Sequence, residues 1–236
     1  MRILSVEFET EDLPRAERFY GSLFGLPTRR DDHALTIRVG SSTLTLKEGP
    51  RDQGKQHLAF TIPRLMFDSA KEWTAQRVPL LLDVDGRDEF ETSPHWNAHS
   101  LYFADPDGNI LEFIIRRDIL DDQGGPFQPE HVRCISEVGI AVDDVPEIAA
   151  SAKQVLGLDA YGGGAPTFQP VGDPQGLLIL VKRGRSWFPT ATPSGPRHLV
   201  LHIEGGSTGT LEPAPGTIIH SHELSASSSD RGLATA

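Results

Sequence analysis

Apolar and polar positions alternate with two periods along this chain, and the changes of period mark its elements. Residues 5–26, SVEFETEDLPRAERFYGSLFGL, begin with strand-like alternation and pass into Ala16, Phe19, Tyr20, Leu23 and Phe24, spaced as the buried stripe of an amphipathic helix. The helix signals agree: Asp12 stands at the N-cap, Pro14 in the first turn and Gly25 at the close. Residues 137–158, EVGIAVDDVPEIAASAKQVLGL, align with that stretch without a gap, with Asp144, Pro146 and Gly157 in the same places. The chain therefore repeats a strand-and-helix unit.

Further strands are expected at ALTIRVG (34–40) and STLTLKEG (42–49), giving a first unit that reads βαβββ. A second unit opens at HLAFTI (57–62), continues through a helix around Phe67 to Gln76, and closes with HSLYFADPDGNILEFI (99–114). There DPDG, with Pro106 and Gly108, turns a β-hairpin. The third unit starts at Glu137 and includes GLLILVK (176–182), and a fourth starts at HLVLHI (198–203), which echoes HLAFTI. The fourth is truncated, with GTIIHSHEL (216–224) its one remaining strand candidate before a low-complexity tail, SASSSDRGLATA. The expected division is 1–120, a first domain of two units; 121–132, a linker rich in turn residues; 133–224, a degenerate second half; and 225–236, a flexible tail.

In the hairpin, Ile110, Glu112 and Ile114 share one strand face, so Glu112 lies among apolar neighbours. A carboxylate in that setting must be paired, protonated or bound to a cation. Composition narrows the partners. With 22 basic against 33 acidic residues the formal charge is −11, which opposes nucleic acid and anionic lipid as partners. One cysteine, Cys134, excludes an internal disulfide, and neither a signal peptide nor an 18-residue apolar run is present, so a cytoplasmic protein without a membrane span is expected. The GGG run at 162–164 lacks the context of a phosphate loop.

The paired βαβββ units, the helix opening with Asp12, Leu13, Ala16, Phe19 and Tyr20, and the ending YFADPDGNILEFI resemble the vicinal oxygen chelate superfamily, which includes glyoxalase I, extradiol dioxygenases and the fosfomycin and bleomycin resistance proteins. The resemblance implies an α+β fold of tandem βαβββ modules that form half-open β-barrels with helices outside. It also implies ligand positions on the first and last strands of the modules, which here fall on Ser5 and Thr45 in the first module and His57 and Glu112 in the second. His57 and Glu112 are the metal ligands so implied, with Ser5 and Thr45 as cleft residues where the family pattern is not met. Glu7, on the same strand face as Ser5, is a third ligand or a catalytic base, and Tyr102, beside the hairpin turn, is a second catalytic candidate.

Carried to the second half, the same positions give an alternative metal set of Glu137, His198 and His220, the last by matching Gly216 to Gly108. Two functions stay open. One is a metal-dependent lyase, isomerase or dioxygenase, using Fe, Mn, Ni or Zn on a small oxygen-chelating substrate. The other is a metal-free protein that binds or sequesters a small aromatic or antibiotic-like molecule, with His57 and Glu112 tied to each other. SPHWNAHS (93–100) around Trp96 offers an aromatic reader of a polar ring or a loop anchor, and RGRSWFPTATP (183–193) an anion seat, a cleft cap or a packing segment.

Overall fold

The computed structural model describes residues 1–50 and 54–224. The first module contains β1 (Arg2–Thr10), α1 (Leu13–Glu17), β2 (Thr28–Arg30), β3 (Ala34–Val39) and β4 (Ser42–Glu48). The second contains β5 (His57–Thr61), α2 (Phe67–Ala75), β6 (Phe90–Glu91), β7 (Ala98–Ala104) and β8 (Ile110–Arg116). β9 (Cys134–Val142), α3 (Val145–Leu156), β10 (Phe168–Asp173) and β11 (Gly176–Lys182) make the third. The fourth has β12 (Leu199–Glu204), β13 (Gly209–Ala214) and β14 (Thr217–His222). The expected tail, 225–236, lies outside the described residues.

These strands form two curled seven-stranded sheets, in the orders β13-β14-β12-β1-β4-β3-β2 and β10-β11-β9-β5-β8-β7-β6. The pairing of modules differs from the expectation that neighbours in sequence share a barrel. β1 pairs antiparallel with β12, and β5 with β9, so the first module joins the fourth and the second joins the third. The 121–132 segment thus separates halves in sequence, while each sheet draws one module from either side of it.

One continuous apolar core joins the sheets and helices. Val6 and Phe8 of β1, Leu44 and Leu46 of β4, Leu58 and Phe60 of β5, Leu111 and Phe113 of β8, and Leu178 and Leu180 of β11 all contribute to it. In β5 and β8 the opposite strand positions are buried as well, so both strands are covered on both sides and read as nearly unbroken apolar runs.

The first helix departs from its expected period. After Leu13–Glu17, capped by the Asp12 carboxylate accepting from the Arg15 amide, the chain widens into a π-helical turn over Arg18–Leu23. Widening advances the phase of the buried stripe, so Phe19, Tyr20 and Phe24 stay in the core while Leu23 is 39% exposed. β13, with the sequence GTLEPA, is a strand that alternation did not reveal, because Gly209 and Pro213 break its pattern.

Candidate metal centre

Three ionisable side chains meet on the outward face of the second sheet. His57 comes from the first residue of β5, Glu112 from the middle of β8 and Glu137 from β9. β5 and β8 run parallel with Ala59 opposite Glu112, and β5 and β9 antiparallel with Ala59 opposite Glu137, so a small residue sits between the two carboxylates. The register shifts between Ala59 and Phe60. Glu137 alternates with Val138, Ile140 and Val142, which point into the core, and so faces the cleft; the extra residue on β9, N-terminal to Glu137, returns Ile135 to the core.

His57 Nε2 lies 3.4 Å from Glu112 Oε2 and 3.7 Å from Glu137 Oε2. One donor atom from each residue falls within 4.8 Å of the others, and among the described residues this is the one set of three or more His, Cys, Asp or Glu side chains to do so. All three are buried. Arg116, four residues beyond Glu112 and on the same strand face, reaches back so that its Nη2 donates to Glu137 Oε1 at 2.5 Å. Its Nε and Nη1 find no partner among the described residues.

Burial, and then the charge of Glu137, push the Glu112 carboxyl up to about 8. Burial is also the largest influence on His57 and acts downward, but the two carboxylates beside it outweigh burial and leave the imidazole raised. Burial, followed by the Glu112 charge, holds the Tyr102 hydroxyl well above its ordinary value, so it is a neutral donor at any physiological pH. These are the shifts expected when two carboxyl groups share a desolvated space that lacks a full complement of positive charge.

The centre forms the floor of a cleft of about 340 Å³. Its walls are largely aromatic: Trp96, Tyr102, Phe168, Trp187 and Phe188, with Ile179 and Val181 from β11. Trp187 is fixed by an indole N–H donated to the Lys55 carbonyl at 2.8 Å, and its ring lies 5.7 Å from that of His57. Gly139 makes room for it: a Cβ there would come within 2.4 Å of the indole ring and 3.0 Å of His57 Cβ. Arg185 stands at the opening with its guanidinium 4.8 Å over the Phe168 ring. Trp96 stacks at the wall, whereas its neighbour His99 turns away to stack on Phe67 at 3.7 Å and Asn97 donates to Asp118.

The structure brings together His57, Glu112 and Tyr102 from the first set of candidates and adds Glu137 from the second. It places Ser5, Thr45 and Glu7 on the first sheet, where Glu7 pairs with Lys47 at 2.7 Å. His220 lies on β14 of the first sheet and His198 just before β12 of the same sheet, so the set of Glu137, His198 and His220 is divided between two sheets. Register adds a second displacement. Val138 faces Leu58, whereas Val6, its counterpart in the repeat, faces Leu201, so Val200 rather than His198 occupies the place that His57 has in the second sheet. Two residues that matter here escaped sequence reasoning: Glu137 as the partner of His57 and Glu112, and Arg116. The available signal for Arg116 was its spacing, since residues 112, 114 and 116 share a strand face.

One imidazole nitrogen and two carboxylates, facing an open cleft, suit a divalent ion of intermediate hardness with coordination positions left for substrate.

No family model matches the chain. The curated metallothiol transferase FosB of Lysinibacillus sphaericus is 32% identical over 113 residues, covering 45% of this chain and 76% of FosB. Among solved structures, a Bacillus subtilis protein provisionally assigned as a dioxygenase superposes with a TM-score of 0.64 at 14% identity, covering 94% of this chain and 85% of its own. A glyoxalase I variant from Zea mays gives a TM-score of 0.56 at 14% identity, covering 94% and 93%. The two structural likenesses speak to the fold alone.

Proposed function

Because the chain belongs to the vicinal oxygen chelate superfamily, we propose that it is an enzyme that holds a divalent ion at His57, Glu112 and Glu137 and acts on a small organic molecule with two neighbouring oxygens. The observation that carries this reading is the convergence of three buried donor atoms within 4.8 Å at the floor of a cleft. A divalent ion there would supply Lewis acidity and a template for the paired oxygens.

The remaining work falls to the chain's own groups. Arg116 holds Glu137 Oε1, which leaves Oε2 turned toward His57 and the cleft. Tyr102, buried beside Glu112 and neutral, offers a hydroxyl proton to a substrate oxygen. The aromatic walls favour a substrate with a flat or bulky apolar portion and exclude water around the reacting oxygens. The donor set has one histidine and two carboxylates, not the two histidines and one carboxylate of non-haem iron oxygenases, which favours lyase, isomerase or transferase chemistry over ring cleavage.

A metal-free ligand-binding protein is the second reading, and Arg116 is the observation that favours it. With His57 protonated, two buried cations balance two buried carboxylates without any ion. Anaerobic titration with Fe(II), Mn(II), Ni(II) and Zn(II) separates the readings. The parent should bind an equivalent that falls away in Glu112→Ala and Glu137→Ala and persists in His198→Ala. Failure of every ion to bind in a manner that depends on Glu112 and Glu137 would leave the metal-free reading.

A further inference from the structure

Four of the chain's nine histidines lie on or at the start of two adjacent strands of the first sheet, away from the centre described above. β12 and β14 run parallel with His202 directly opposite His220, and His222 follows two residues later on the same face. His202 Nδ1 lies 3.5 Å from His222 Nε2, in rings that are parallel to within 3° and 5.8 Å apart, so the two nitrogens face each other. The His220 ring stacks against that of His202 at 4.8 Å.

We propose that His202 and His222, completed by His220, form a second transition-metal site on the outer face of the first sheet. Two neutral imidazoles cannot point lone pairs at each other: either one donates a proton or a cation lies between them. The separation suits a cation, since two nitrogens about 2.0–2.1 Å from one tetrahedral ion stand about 3.4 Å apart. His220 Nδ1 lies 3.1 Å from Thr210 Oγ1, a contact that the ring exchanges for the ion. His202 sits between the other two, and a ring rotation of His220, on the open face of the sheet, brings in the third nitrogen.

This is not the first centre repeated. In the first sheet His220 stands where Glu112 does in the second, but Val200 stands where His57 would be and Ser5 where Glu137 would be, and the other two donors, His202 and His222, come from positions the first centre does not use. An all-imidazole set selects Cu(II), Ni(II) or Zn(II) over Mn(II), whereas the carboxylate-rich set of His57, Glu112 and Glu137 accepts Mn(II) as well. The two sites can therefore be read separately in one protein.

The test is a titration of the full, tag-free chain with Cu(II), followed by electron paramagnetic resonance, beside one with Mn(II). Cu(II) should bind with a nitrogen-rich spectrum that His202→Ala and His222→Ala each abolish, weakening that equivalent by more than about 100-fold. Mn(II) binding should be unchanged in both variants. These side chains are solvent-accessible, so circular dichroism should show an intact fold, and His222→Gln provides a milder substitution at the same place. Parent-like Cu(II) stoichiometry and spectrum in His202→Ala and His222→Ala would overturn the proposal. If Mn(II) fails to bind while the Cu(II) signal depends on His202, the first centre's assignment falls and this one stands.

Discussion

Arg116 shows how much a single side chain can decide in a buried site. It is 2% exposed, and its one hydrogen bond to Glu137 supplies a positive charge to a carboxylate buried beside Glu112. Replacing it with methionine keeps the volume but leaves Glu112 and Glu137 facing His57 alone. The metal-free Arg116→Met protein should lose about 3–5 kcal/mol, the usual consequence of removing one partner from a buried pair. Saturating Mn(II) should recover most of that loss, because the ion replaces the missing cation. Urea denaturation of parent and variant, with and without Mn(II), measures both numbers; a variant as stable as the parent without metal would show that the guanidinium balances nothing. At this scale the sequence was informative where chemistry conflicts with pattern. Glu112 announced itself as an acid on an apolar strand face, and the family resemblance drew His57 to it. Glu137 did not announce itself as their partner, because alternation along EVGIAV places it on the face away from the core but cannot show that β9 lies beside β5 with Glu137 opposite Ala59.

At the scale of elements, local rules served well and pairing rules did not. DPDG gave the turn between β7 and β8, with Gly108 at φ 79°, and Asp144 and Gly157 mark the two ends of α3. Such signals depend on a few neighbouring residues and survive any tertiary arrangement. Which β-strand lies beside which depends on contacts more than a hundred residues apart, as in the pairing of β1 with β12, and no local pattern encodes that. The two-residue slip between the β1–β12 and β9–β5 ladders is invisible in the match of HLVLHI to HLAFTI for the same reason. Module exchange has a direct consequence. A fragment of residues 1–120 contains His57 and Glu112 but lacks Glu137, and it exposes the edges of β1 and β5 that β12 and β9 cover in the full chain. The fragment should not remain a folded monomer and should bind no divalent ion at the strength of the parent. Size-exclusion chromatography and Mn(II) titration of the fragment check this; a stable, metal-binding monomer would mean that the first two modules form their own site.

For the molecule as a whole, the centre should control how stability varies with pH. Glu112 titrates near 4.5 when unfolded and near 8 when folded, so between those values the folded state holds a proton that the unfolded chain has released. Stability must then fall as pH rises through that interval. His57 acts with the same sign: its folded value is raised above 6.5, so the stability it brings as a cation is complete below that pH and is lost as pH climbs through the folded value. Asp31, Asp83, Glu91 and Asp121 are lowered, so the stability they bring is lost only as the pH falls below the ordinary carboxylate range. The metal-free protein should therefore show a melting temperature that declines from about pH 5 to pH 8. A divalent ion reverses the trend, because it binds the deprotonated carboxylate and neutral imidazole and displaces their protons. The gain in melting temperature on adding Mn(II) should grow over the same interval, and Glu112→Gln, which cannot ionise, should flatten the metal-free slope. A parent protein with a flat metal-free profile across this range would mean that Glu112 is already ionised in the folded state, balanced by His57 and Arg116, with no proton for an entering ion to displace from it.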